Sequence, residues 1–186
     1  DWSSDVCSSD LFTNQIAAEL EARGIKRGER VGILMENVPH WVFALLGILR
    51  VGGIVVPLAP ALSESSLKRL CTHSDCRLIF CDAQNAAKAR SVTQDVIELP
   101  SEKLSKANVA LSPYQAPRDD ETALIIYTSG TTGDPKGVEI TSLNLAHEIR
   151  GVSENMGIAD QHRILSVLPF SHVLPLVANG LGPLCI

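Results

Sequence analysis

Apolar residues recur along this chain at two periods, and the alternation between them lays out most of its elements. From Thr13 to Arg23 they fall at helical spacing, with Ile16, Ala17 and Leu20 on one face and Gly24 as the stop. Val31 to Met35 is a short apolar strand after the charged turn Lys26-Arg-Gly-Glu-Arg30. Asn37 and Pro39 open a second helix that runs to about Val51 and is apolar nearly all round, which predicts a buried helix. Gly52-Gly53 ends it, and Ile54 to Leu58 reads as the next strand. Ser63 caps a short helix through Leu67 and Leu70, followed by strands at Arg77 to Cys81 and Val96 to Leu99. Pro100 to Glu121 is polar and aperiodic, a long surface connection. Ala123 to Tyr127 is a buried strand, and Ser142 to Met156 is the clearest helix, with Leu145, Ile149, Val152 and Met156 in register. Thr141 or Ser142 caps it and Gly157 stops it. Strands alternating with helices predict a layered α/β/α domain around a largely parallel sheet.

Ile164 to Ile186 contains no Asp, Glu, Lys or Arg and is long enough to suggest a membrane span. Pro169, Pro175 and Pro183 interrupt it, and each would break a helical hydrogen-bond ladder. The pattern predicts a strand over Arg163 to Leu168, then a turn and a buried helix. No transmembrane segment is expected, although peripheral contact with a membrane stays open.

Composition narrows the function classes. With 186 residues, 45% hydrophobic and 20% charged, the chain can build one domain with a sizeable core. A net charge of −5, only 4% aromatics and no basic block argue against a nucleic-acid partner. Cys71, Cys76 and Cys81 form C-x4-C-x4-C, but no second pair follows as a zinc site requires, so they read as packing thiols and no metal ligand is assigned. Cysteines without a disulfide framework fit a reducing cytoplasm. His40, His73, His147 and His162 lack a supporting constellation and read as surface or structural residues.

Residues 1–11, Asp1-Trp-Ser-Ser-Asp-Val-Cys-Ser-Ser-Asp-Leu11, have neither the basic start nor the apolar run of a signal peptide. They resemble the in-frame translation of a sequencing-library adapter and are set apart from the natural domain, 12–186. Three of the 21 acidic residues fall within them, so the remainder is close to neutral.

The chemistry concentrates in Thr128-Ser-Gly-Thr-Thr-Gly-Asp-Pro-Lys-Gly137, which gathers four hydroxyls, three glycines and a lysine. Glycines let successive backbone N–H groups converge on an anion, hydroxyls donate to phosphate oxygens, and Lys136 adds a point charge. These residue types fit the β and γ phosphates of ATP. A Walker loop would need Lys followed by Ser or Thr and a helix, whereas Gly137-Val-Glu-Ile140 follows here; a Rossmann G-x-G-x-x-G is also absent. A ligand-free hairpin loop is the remaining structural alternative.

In its ordered Tyr127 to Gly137 string, the chain resembles the adenylate-forming superfamily of acyl-CoA synthetases, luciferases and peptide-synthetase adenylation domains. The likeness extends to Gly28-Glu-Arg-Val31, Asn37-Val-Pro-His-Trp41, Leu49 to Leu58 and Leu168-Pro-Phe-Ser-His172. It implies that a carboxylate attacks the α-phosphate of ATP, with Mg²⁺ assisting, and that the thiol of coenzyme A then takes the acyl group. It places Thr128, Ser129, Thr131, Thr132 and Lys136 at phosphate contacts, with Gly130, Gly133 and Gly137 shaping the backbone. It sets His172 beside an acyl pocket and thiol channel. Amino-acid-activating members carry an Asp near the position of Phe170, and none occurs here, so the resemblance leans toward a medium- or long-chain fatty acid. The resemblance also implies that the adenine, ribose and Mg²⁺ groups, and a catalytic lysine on a small C-terminal domain, lie beyond Ile186. The chain alone is therefore expected not to turn over. The alternatives are a non-catalytic nucleotide- or acyl-binding homologue and an adenylating enzyme for aryl or amino acids.

Overall fold

A computed structural model describes residues 2–100, 112–128, 135–156 and 164–182. Among the described residues six strands form one sheet: β1 (Arg30–Leu34), β2 (Ile54–Pro57), β3 (Cys76–Cys81), β4 (Val96–Glu98), β5 (Thr122–Thr128) and β6 (Lys136–Thr141). Their spatial order is β4-β3-β1-β2-β5-β6, parallel throughout except for the antiparallel pair β5–β6. The helices are α1 (Trp2–Ala22), α2 (Pro39–Arg50), α3 (Glu64–Ser74), α4 (Ala86–Arg90), α5 (Ser142–Met156) and the short turn α6 (Val173–Pro175), which continues as π-helical turns over Leu176–Leu181.

The strands sort their side chains by the period-2 pleat. Val31, Ile33, Val55, Leu78, Phe80, Leu124 and Ile126 face one core, filled from α1 by Ile16 and Leu20 and from α2 by Trp41, Leu45 and Ile48. Leu34, Val56, Ile79 and Cys81 face the other, covered by Leu67 and Cys71 of α3 and by Ala86 and Ala89 of α4. Helices on both faces of a mostly parallel sheet give the layered α/β/α architecture expected from the pattern.

Where helices cross closely, a missing side chain makes the room. A Cβ on Gly47 of α2 would sit 2.5 Å from Ile16 Cγ2 and 3.2 Å from the Thr13 carbonyl oxygen on α1. Gly47→Leu should therefore destabilise the fold by about 1–3 kcal/mol through overpacking. Gly151→Ala on α5, where nothing lies within 4 Å, should instead stabilise by roughly 1 kcal/mol from helix propensity. Urea midpoints of the two variants check both signs, and a neutral Gly47→Leu would refute the close crossing.

Three differences from the sequence expectations have physical causes. α1 begins at Trp2 rather than near Thr13, because no Gly or Pro interrupts the upstream residues and the ladder continues from the packed turns. Contact with the core fades upstream: Ile16 and Leu20 are fully buried, whereas Leu11 is 53% exposed. The apolar run 164–168 is not a strand; it has no ladder partner among the described residues, and Leu165 and Val167 are 80% and 71% exposed. Arg163, Gly157, His162, Pro183 and Cys185 lie outside the described residues. Finally, β6 and the five-residue α4 carry too little periodicity to be read from sequence.

The described part of the polar connection, 112–121, is tied to the amino-terminal edge of the sheet. Arg27 donates to the Ala116 carbonyl and pairs with the Glu121 carboxylate, and the Arg50 guanidinium lies 5.9 Å from the Tyr114 ring centre. The hydrogen bond and charge of Arg27 hold the Glu121 carboxyl below its ordinary range.

Cys71, Cys76 and Cys81 are free thiols. Cys71 and Cys81 are buried, and Cys76 donates to the Leu78 carbonyl at 3.3 Å. Its hydrogen bond with Cys71, together with burial, pushes the Cys76 thiol well up. Burial raises Cys81 to about 11. These are packing groups. Among the described residues no cluster of His, Cys, Asp and Glu is arranged to hold a metal, and no helix is long and apolar enough to cross a membrane.

Candidate functional site

The site is built from the carboxyl ends of the parallel strands. After β1 the chain turns to α2 on one face, and after β2 it turns to α3 on the other. Diverging connections of this kind leave a crevice at the sheet's carboxyl edge, where ligands of open α/β sheets bind. β5 lies beside β2 and runs parallel to it, so its last residue, Thr128, emerges at that same edge.

The glycine- and hydroxyl-rich loop leaves from there and returns antiparallel as β6. Thr128 pairs directly with Lys136, and Tyr127 with Gly137. The sheet therefore brings together the two ends of the sequence-predicted phosphate loop and sets the Lys136 residue opposite the Thr128 hydroxyl residue. Gly137 is needed at this register: a Cβ there would lie 2.9 Å from Ile125 Cγ2 and 3.4 Å from Tyr127 Cζ. Ser129, Gly130, Thr131, Thr132 and Gly133 lie outside the described residues.

The strand end is fixed from below by Tyr127. Its hydroxyl lies 2.8 Å from His73 Nδ1 at the end of α3, and the two rings meet edge to face at 5.6 Å. Burial raises the Tyr127 hydroxyl above its ordinary range, so it stays protonated near neutrality and acts here as a packing and hydrogen-bonding group. β6 is held at its far end by a reciprocal cap. Thr141 Oγ1 accepts from the Asn144 amide at 3.2 Å while Asn144 Oδ1 accepts from the Thr141 amide at 3.3 Å, which selects Thr141 as the cap of α5.

His172 stands exposed just ahead of α6, its amide donating to the Pro169 carbonyl at 3.2 Å. The preceding segment is held by α2 and the loop before it. Phe170 is 6% exposed and meets the Trp41 ring edge-on at 5.3 Å. Asn37, just past the carboxyl end of β1, binds Ser166, Leu168 and Phe170 through its side chain. The segment bearing His172 is thus tethered over the same edge of the sheet that carries Thr128 and Lys136. The Ser171 hydroxyl oxygen is buried and has no hydrogen-bond partner among the described residues.

In sequence Asn37 reads as a helix-start signal and as part of the Asn37–Trp41 likeness, and its tethering role does not show. The available clue was a polar amide between a strand and a proline-started helix at the functional edge. His40 meets the stacked rings of Phe12 and Phe43 edge-on, and His147 is exposed. A cleft of about 910 Å³ lies elsewhere, at the amino-terminal edge between Gly28, Gly52, Ile54, Glu121 and α5. It is remote from the loop, and the Arg27 side chain in its wall is already committed to Glu121 and the connection.

The family model described as AMP-binding enzyme matches residues 10–186. The chain is 32% identical over 176 residues to a sulfoacetate–CoA ligase of Cupriavidus necator, covering 88% of this chain and 34% of that protein. It is 30% identical over 156 residues to syringomycin synthase SyrB1 of Pseudomonas syringae pv. syringae, covering 82% of this chain and 25% of that protein. In structure it is similar to a fatty acyl-adenylate ligase from L. pneumophila in complex with acyl adenylate and pyrophosphate. That match has a TM-score of 0.82 and 29% identity, over 94% of this chain and 31% of that one. The chain thus spans about a third or less of the length of each of these relatives.

Proposed function

The chain belongs to the AMP-binding enzyme family, the adenylate-forming enzymes, and from that premise we propose that the protein carrying it is an ATP-dependent acid–thiol ligase. In this reading a carboxylate oxygen bonds to the α-phosphorus of ATP and pyrophosphate leaves. The thiol of coenzyme A then attacks the acyl carbon, and AMP leaves. The observation that carries the proposal is the base of the loop, where β5 and β6 set Thr128 against Lys136 at the carboxyl edge.

The chain's own residues contribute positioning and charge. Thr128, Ser129, Thr131 and Thr132 donate to phosphate oxygens, Lys136 neutralises charge shed onto the leaving pyrophosphate, and Gly130, Gly133 and Gly137 let the backbone approach. Mg²⁺ would supply further charge neutralisation; the described residues gather no cluster of His, Cys, Asp and Glu for it.

For the acid we propose a medium- or long-chain fatty acid. The support is an acid-side segment, Ile164–Ile186, without a single charged Asp, Glu, Lys or Arg. A charged substrate group there would be left without a salt-bridge partner from this segment. Apolar side chains of Leu165, Val167, Leu168 and Leu174 stand exposed along it. The free thiols of Cys71, Cys76 and Cys81 suit the cytoplasm. We also propose that residues 1–11 stand apart from the domain, on their resemblance to an adapter translation.

The test is ATP–pyrophosphate exchange by the full gene product against a panel of fatty, aryl and amino acids. Exchange driven by fatty acids is the expected result. Exchange driven only by aryl or amino acids would reassign the substrate. Nucleotide binding with no exchange for any acid would replace the ligase by a non-catalytic binding protein.

A further inference from the structure

The carboxamide of Asn37 does the work of a missing strand. Its Nδ2 donates to the Leu168 carbonyl at 2.8 Å and to Ser166 Oγ at 3.1 Å, and its Oδ1 accepts from the Phe170 amide at 3.1 Å. A carbonyl at one residue and an N–H two residues later are the pair that one residue of a parallel neighbouring strand would engage. The side chain therefore bridges to the chain around Pro169 as a peptide unit would, in a segment that has no ladder partner among the described residues. Pro169 has no N–H of its own to offer. The bonds reach across more than a hundred residues of sequence, from the loop after β1 to the segment before α6.

We infer that Asn37 is a positioning residue for the acid side of the site, fixing the Ser166–Phe170 segment and, through it, His172. This rests on the ligase reading and on the acid-side role given to His172. The path is short. The last atom Asn37 holds is the Phe170 amide, and the Pro169 carbonyl in turn accepts from the His172 amide at 3.2 Å. On the apolar side Phe170 is fixed against Trp41, so the segment is held from two directions by neighbouring residues of one loop and helix. Thr128 and Lys136 belong to a different strand pair and make no bond to Asn37. A loosened Asn37 contact should displace the acid-side segment and leave the phosphate side where it is.

The experiment uses the full gene product and measures pyrophosphate exchange with acid and ATP varied separately. For Asn37→Ala the KM for the acid should rise roughly tenfold or more, as misplaced groups do, with the KM for ATP within about twofold of wild type. Asn37→Asp keeps the acceptor for Phe170 but turns a carboxylate toward the Leu168 carbonyl, so it should be no better than Ala. Ser166→Ala loses only a side-chain bond and should stay near wild type. Equal losses for acid and ATP, or a lowered melting temperature with unchanged KM values, would assign Asn37 a purely structural role and overturn the inference.

A second measurement does not depend on any variant folding. In native-state hydrogen exchange of the wild-type protein the Phe170 amide should be protected, and fast exchange there removes the proposed clamp. If wild type shows no acid-dependent exchange activity at all, the ligase reading fails and the inference goes with it. If wild type is active and Asn37→Ala has normal KM values, only the inference fails.

Discussion

Trp41→Ala should lower the unfolding free energy by about 3–5 kcal/mol, the cost of removing a large aromatic side chain from a packed core. Trp41 is 1% exposed and sits with Ile16, Leu20, Leu45 and Ile48 where α1 and α2 meet the sheet. A typical domain has only about 5–15 kcal/mol to lose, so the variant should be partly unfolded or close to it at growth temperature. Urea denaturation followed by circular dichroism gives the number, and Trp41→Phe, which keeps most of the volume, should cost much less. A loss under roughly 1 kcal/mol for Trp41→Ala would mean that the contact carries little of the core's stability. The same substitution removes the partner of Phe170, so any folded remainder should also hold the His172 segment loosely.

The second large effect is expected at Lys136, and on activity rather than stability. In the proposed ligase Lys136→Ala should reduce pyrophosphate exchange by about 10²- to 10³-fold, the usual consequence of removing one group that stabilises transition-state charge. Its melting temperature should hardly move, because Lys136 is exposed on β6. Lys136→Arg should recover part of the loss at most, since a planar fork does not replace a compact ammonium. Undiminished exchange in Lys136→Ala would remove the phosphate role assigned to this residue.

The elements that could be read in sequence are those whose stability is local or whose burial imposes a period. Ser142–Met156 carries one clear apolar stripe, and Ala123 to Tyr127 is an apolar run in a strand flanked on both sides by partners. Both are legible to within a residue or two. β6 is not, because most of its residues are exposed and a glycine interrupts it. Its strand character comes from pairing with β5, a tertiary fact. The error at 164–168 runs the other way. Five residues rich in Ile, Leu and Val satisfy strand propensity, yet a strand also needs a backbone neighbour, and here a side-chain amide takes that place. Asn37 shows the same limit for function. Its residue type was visible, but its partners lie on the far side of the sequence, and no periodicity connects them.

The antiparallel return of β6 has a consequence for the phosphate role proposed for the loop. Drawing the ends of a flexible chain together carries an entropic cost, and the Thr128–Lys136 pair meets that cost when the sheet forms. In the proposed phosphate role, an anion would meet a loop whose two ends are already held together. Affinity for that anion and resistance of the β5–β6 pair to unzipping are then thermodynamically linked, each raising the other by the same amount. The outer edge of the sheet would in that sense be part of the proposed binding site, even where none of its atoms touches the bound group.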